Sequence, residues 1–354
     1  METLRNAFKG EDNLQILKKE EYDIYYSCIH KFPLLTVEYI NDKTGKTDGE
    51  PFKRHEIKNP WRTDMSLPKN CRHNVINYRE YMEYGGSNGH NVPASFHKTN
   101  LDIYLSTFKL SNHCPQEIVF NSGLWLLLEN WCKNLQKEKE LEHITVYTGS
   151  IPDKKTRTFV NTVMNVPTHM FKIITAKAKN EPRTLYIACF LMKNDVPKER
   201  IHKLYKHMVS LKELSEIAKI NFFQIFQSYS KFNPRRDNIH SLKRKVTIDI
   251  DIRNNKILKR QIHSAYWYGK VAYSKTLEEL EKNWEETKRR GFDDEYHEMY
   301  YKFSKRRIKR DPDADLPTMP DIYDNRPNDK SNIIDKTKKN KNNIKSSKKS
   351  LKKI

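Results

Sequence analysis

A chain of 354 residues that is 36% hydrophobic, with 19 Tyr, 15 Phe and 5 Trp, can build one large folded domain or two ordinary ones. Its 66 Lys+Arg against 45 Asp+Glu leave a formal charge of +21, which calls for a polyanionic partner, either nucleic acid or an anionic membrane surface. No stretch approaches the roughly 18 apolar residues of a membrane span, and the opening Met1-Glu2-Thr3-Leu4-Arg5 is neither a secretory core nor an Arg-rich presequence.

In chain order, residues 1–14 read as a flexible lead-in. Residues 14–40 read as strands, because Tyr22, Ile24, Tyr26 and Cys28 alternate before a second apolar run over 33–40. Residues 42–60 are polar and turn-rich. The tyrosine-rich segment 74–84 breaks at Gly85-Gly86. Residues 101–110 alternate like a strand. Residues 121–140 carry the best helix pattern, with Leu124, Trp125, Leu128, Trp131, Cys132 and Leu135 on one stripe. Strands are predicted at 143–148, 170–176 and 184–191, then a helix over 211–217 and an aromatic cluster at Asn221-Phe222-Phe223. Beyond residue 228 a strand at 246–252 is expected to pair with 256–263, followed by a charged helix at 276–290. Lys305, Arg306, Arg307, Lys309 and Arg310 form a dense basic run, read as a nucleic-acid contact. Residues 311–327 read as a Pro/Asp-rich linker. From Arg326 to Ile354 the tail holds 11 Lys/Arg against two Asp, a net +9, and is disordered by composition. Cys28, Cys71, Cys114, Cys132 and Cys189 lie far apart without a C-x-x-C pair, so reduced structural thiols in an intracellular compartment are expected.

Three pieces carry chemistry. The first is Gly85-Gly86-Ser87-Asn88-Gly89-His90-Asn91-Val92-Pro93-Ala94. The second is Ser111-Asn112-His113-Cys114-Pro115-Gln116, with Phe120-Asn121 and the run from Trp125 to Glu129 after it. The third is Val146-Tyr147-Thr148-Gly149-Ser150-Ile151-Pro152. Each residue also has an ordinary reading: Asn121 as a helix cap, His90 as a polar loop histidine, Trp125 and Trp131 as core. His90, His97, His113 and Cys114 lack the spacing of a zinc site.

In this order the pieces resemble the DNA/RNA non-specific endonuclease family, which includes mitochondrial endonuclease G. There an Asp-Arg-Gly-His motif with a Pro-Ala element precedes Ser-Asn-x-x-Pro-Gln, a Phe-Asn helix start and a strand ending in Thr-Gly. The resemblance covers residues 15–227. It implies an α+β ββα-metal nuclease fold, a mixed or antiparallel central sheet flanked by helices, here with a basic C-terminal extension over 228–310 and a linker and tail over 311–354. It also implies one Mg²⁺-class ion (Mg²⁺ or Mn²⁺) held by the amide of Asn121, with His90 as general base and Asn112 and Glu129 bracketing the metal. At the family's Arg and Asp positions stand Asn88 and Ser87. An amide cannot supply the charge or the bidentate fork that arginine brings to a phosphate; Lys98 or Arg79 is a candidate substitute.

The expected function is therefore nucleic-acid binding, RNA favoured, by a degenerate endonuclease G-like domain, weak or inactive as a nuclease. A mitochondrial ribonucleoprotein such as the mitoribosome is the expected setting, the mitochondrial location following from the resemblance alone. The alternatives are an active Mg²⁺-dependent, sequence-non-specific endonuclease, and a scaffold that forms homo- or heterodimers through the nuclease domain.

Overall fold

The structure, a computed structural model, describes residues 2–46, 57, 60–158, 161–181, 183–197, 204–229, 238–242 and 256–319. Its centre is an eight-stranded sheet: β1 (Leu14–Lys18), β2 (Tyr22–Ser27), β3 (Phe32–Ile40), β6 (Leu141–Ile151), β7 (His169–Ala178), β8 (Thr184–Lys193) and β9 (Met208–Val209) in that spatial order, with β10 (Asn238–Ser241) also on β8. Neighbours are antiparallel except β8 and β10, which run parallel.

The middle strands are buried on both faces, so they read as nearly unbroken apolar runs. The face bearing Thr36, Thr148, Lys172 and Phe190 is set by cross-strand register. It packs under α3 (Leu126–Asn134), through Trp131 on Phe190 at 5.4 Å between ring centroids. The opposite face, with Tyr147 and Phe171, is covered by α5 (Phe222–Tyr229), through Phe226 and Phe222. Strand pairing and helix positions thus give the antiparallel-dominated α+β architecture expected from the sequence. Among the described residues no helix is long and apolar enough to cross a membrane.

Several local expectations are corrected. Residues before β1 are not loose: Ala7 and Phe8 are buried, and Phe8 stacks on Tyr25 at 5.1 Å. The expected strand at 101–110 is the short helix α2 (Leu101–Ser106), because the Asn100 side chain caps it by accepting from the Ile103 amide at 2.9 Å. Residues 256–263 lie in the long helix α6 (Lys256–Ala272); their expected strand partner at 246–252 falls outside the described residues. Cys28 and Cys71 form a disulfide across 43 positions, while Cys114, Cys132 and Cys189 are free and buried. Spacing alone does not reveal such a pairing.

Beyond β10, the described part of the C-terminal extension is a three-helix layer, α6, α7 (Leu277–Arg289) and α8 (Glu295–Arg310). Val271, Tyr273, Leu280, Tyr300, Phe303 and Ile308 share one apolar cluster with Met82, Ile118 and Val119 of the nuclease core. Fit is close where α6 crosses the core. A Cβ on Gly269 would stand 2.4 Å from Val119 Cγ2.

Candidate active site

The site is assembled by a two-stranded ribbon leading into a helix. β4 (Gly86–His90) pairs antiparallel with β5 (His113–Glu117), setting Ser87 opposite Gln116, Asn88 opposite Pro115 and His90 opposite His113. Strand alternation puts Asn88 and His90 on one face and Ser87 on the other. Close contacts explain the glycines. A Cβ on Gly86 would run into the Tyr81 ring, and one on Gly89 into the Gln116 side chain, at 2.1 Å each.

Directly after β5 the chain makes a short helical turn, Ile118–Phe120, and then a π-helical turn, Asn121–Trp125, before α3. Such π turns recur at functional sites because they re-aim side chains. Asn121 sits at its start. Its Nδ2 donates to Ser87 Oγ at 3.0 Å, and Ser87 in turn donates to the Gln116 carbonyl at 3.2 Å. Ser87 therefore fixes the amide and leaves Asn121 Oδ1 to face elsewhere.

Ser87, Asn88, His90, Asn121 and Glu129 line one cleft of about 340 Å³. The His90 ring is wedged between Phe108, edge-on at 5.0 Å, and His113 at 4.2 Å. His113 Nδ1 is held by the Lys109 carbonyl at 3.0 Å. Burial raises the Glu129 carboxyl to about 7, opposed by the buried Lys172 ammonium behind it. Lys172 itself bonds Thr148 Oγ1 and lies 5.0 Å over the Trp125 ring.

Two expectations about this set change. Asn112 does not reach the cleft. It is fully buried, accepting from the Val92 amide at 3.0 Å and donating to the Val92 and Thr107 carbonyls at 2.9 Å each, so it staples the segment after the motif. Neither Lys98 nor Arg79 lines the cleft, and no Lys or Arg does so among the described residues. The basic run is engaged elsewhere. Arg307 is fully buried and bonds the Ser274 carbonyl. Arg306 and Arg310 pair with Glu83, and Lys305 with Glu281. Lys309 lies in the last turn of α8.

The opposite wall was not foreseen. Gln261, Ser264 and Tyr268 of α6 and Tyr296, Met299 and Tyr300 of α8 close the cleft, with Trp61 at its edge. These helices also grip the motif strand. The Tyr273 hydroxyl lies 3.1 Å from the Gly85 carbonyl and 2.5 Å from Glu117 Oε2, sharing its one proton between these acceptors, and Tyr300 Oη donates to the Gly86 carbonyl at 3.0 Å. Glu117 is buried in the ribbon, which raises its carboxyl to about 7, while Tyr273 and Arg157 pull it back. The clustered Tyr266-Trp267-Tyr268-Gly269 was the signal available in the sequence.

The donors fit a hard divalent cation. Asn121 and Glu129 offer oxygens in one cleft, and the buried Oδ1 of Asn88, which lines the same cleft, has no hydrogen-bond partner among the described residues. Among the described residues no cluster of three or more His, Cys, Asp or Glu is placed to hold a metal, and a magnesium site that keeps its waters does not need one.

Comparison with known proteins agrees with this architecture. The profile of the DNA/RNA non-specific endonuclease family matches residues 1–227. Nuclease EXOG, mitochondrial, of Xenopus laevis is 27% identical over 208 residues, 56% of this chain and 55% of that protein. The mouse protein of the same name is 26% identical over 309 residues, 82% of this chain and 76% of its own length. This chain thus spans little more than half of the frog relative. A crystal structure of the EndoG/EndoGI complex superposes with a TM-score of 0.54 at 21% identity, covering 67% of this chain and 94% of that one. The chain belongs to the DNA/RNA non-specific endonuclease family.

Proposed function

We propose that the protein is a mitochondrial nucleic-acid-binding nuclease that cleaves phosphodiesters slowly, with a divalent metal. The observation that carries this reading is that His90, Asn121 and Glu129 line one cleft, with Asn121 oriented by Ser87. Asn121 Oδ1 and the Glu129 carboxylate would hold the ion, Mg²⁺ or Mn²⁺, which when bound supplies positive charge to the scissile phosphate and the leaving oxygen. His90, held against Phe108 and His113, accepts the proton of the attacking water. Ser87 keeps the Asn121 amide from rotating. The helices α6 and α8 exclude bulk water from one side of the cleft.

Slowness follows from Asn88. With no Lys or Arg among the described lining residues, charge that builds on the phosphate lacks a preorganised protein cation, a loss that commonly costs about 10²–10³ in rate. The formal +21 supports tight, salt-sensitive binding of the nucleic-acid backbone. A second reading, an RNA-binding member without turnover in a ribonucleoprotein such as the mitoribosome, is favoured by that same charge together with Asn88. Incubation with plasmid and with RNA in Mn²⁺, then in excess EDTA, separates the two. Metal-dependent cleavage supports the nuclease; tight, salt-sensitive binding with no cleavage at any metal concentration supports the binder.

A further inference from the structure

We infer that Asn88, standing where the family has its motif arginine, is a second amide ligand of the divalent ion, so that the position lost for phosphate charge is reused for metal retention. This rests on the reading of the cleft as a divalent-metal site and deepens it. Three observations meet at this residue. Alternation along β4 places Asn88 on the His90 face of the strand. Its side chain lines the cleft together with Asn121 and Glu129. Its Oδ1 is buried without a hydrogen-bond partner among the described residues, although a buried acceptor left unmade commonly costs about 1–3 kcal/mol.

Chemistry decides what that acceptor suits. An amide oxygen is a hard, neutral donor of the kind that Ca²⁺- and Mg²⁺-class ions take. An arginine at the same place brings a permanent cation and five N–H donors with no acceptor, so it cannot ligate a metal and repels one. The exchange removes a positive charge from the cleft and adds an oxygen to it. The neighbouring amide has the support that a ligand needs: Ser87, the adjacent residue, fixes Asn121. A protein-held ion then has donors from both β4 and the π turn, Asn88 and Asn121, with Glu129 alongside.

The test is the dissociation constant for Mn²⁺ alone, read from the electron paramagnetic resonance signal of the free ion against the full chain. The series is wild type, Asn88→Ala, Asn88→Asp, Asn88→Arg and Asn121→Ala, with circular dichroism to check folding. Removing partners of a metal site typically weakens affinity about 10–100-fold, and a direct ligand falls within or above that range. Asn88→Ala is expected to weaken Mn²⁺ at least tenfold, Asn88→Asp to restore or exceed wild-type affinity, and Asn88→Arg to bind more weakly than Asn88→Ala. If Asn121→Ala weakens binding while Asn88→Ala leaves it unchanged, the second-ligand role is overturned and the metal cleft stands. If the wild type binds no Mn²⁺, both fall. Asn88→Ala should fold normally, since the buried Oδ1 it removes has no hydrogen-bond partner among the described residues; if it does not, failure of Asn88→Asp to regain affinity overturns the inference.

Discussion

His97 offers a sharp test of how the segment after the motif is anchored. Its ring is 3% exposed and lies between two carboxylates, Nδ1 to Glu21 at 2.6 Å and Nε2 to Glu38 at 2.8 Å. Burial disfavours the imidazolium, but the two carboxylates more than offset it and push the histidine up to about 9. Against an ordinary value of about 6.5, that difference corresponds to about 3 kcal/mol of stability. Because the folded-state pKa is the raised one, the contribution is complete below about pH 6.5 and is lost as pH climbs through about 9. From pH 7 to pH 10 roughly 2.5 kcal/mol should disappear. Glu21 is lowered, first by its bond to His97, so its own contribution is already complete at pH 7 and stays constant across the window. The perturbation is His97→Leu, which leaves the fully buried Glu38 without its cation and should destabilise by about 3–5 kcal/mol at pH 7. Urea unfolding at pH 7, 8, 9 and 10 measures both effects. The wild type should lose about 2.5 kcal/mol more than the variant over this range. Equal pH slopes in the two proteins would refute the charged sandwich.

Other expectations are as direct. With metal at saturation, Asn88→Arg should raise the cleavage rate about 10²-fold by restoring charge at the phosphate; an unchanged rate removes the proposed cause of slowness. Gly269→Ala should cost about 1–3 kcal/mol, since its Cβ meets Val119 at 2.4 Å, and should loosen the helical wall as read by proteolysis of residues 256–310. A stable, protease-resistant variant would show that this packing is not tight. Tyr273→Phe removes a donor to the buried Glu117 and should cost about 1–3 kcal/mol in thermal unfolding; no change would mean that the tether does not hold the ribbon. Closing 43 positions, the Cys28–Cys71 bond should contribute about 4 kcal/mol, so Cys71→Ser should lower the urea midpoint and make it insensitive to dithiothreitol.

Much of the fold was legible where burial is local and repetitive. Tyr22, Ile24 and Tyr26 mark one buried face of β2, β7 and β8 lie in the sheet as apolar runs, and the stripe from Leu124 to Leu135 marks the helix above it. The misread pieces share a cause. Leu101, Ile103 and Leu105 alternate like a strand, but the Asn100 cap and the burial of Tyr104 and Phe108 select a helix. In residues 256–263 the pattern is too charged to show its period; the same helix continues to Val271 and Ala272, which join Val119 and Met82 in one apolar cluster. Motif order singled out His90, Asn121 and Glu129, which the ribbon and the helical segment after it bring to one cleft. The purely structural use of Asn112, the Cys28–Cys71 pairing and the wall of Tyr268, Tyr296 and Tyr300 depend on contacts between distant segments, which spacing does not encode.

In the proposed reading the cleft turns over with His90 as its base. Single-turnover cleavage of end-labelled single-stranded RNA and DNA in saturating Mn²⁺, wild type beside His90→Ala and Asn121→Ala, tests it most directly. The wild type should cleave slowly and in an EDTA-sensitive way, and both substitutions should abolish cleavage while nucleic-acid binding persists. Cleavage that survives His90→Ala, or none by the wild type under saturating metal, would contradict this reading.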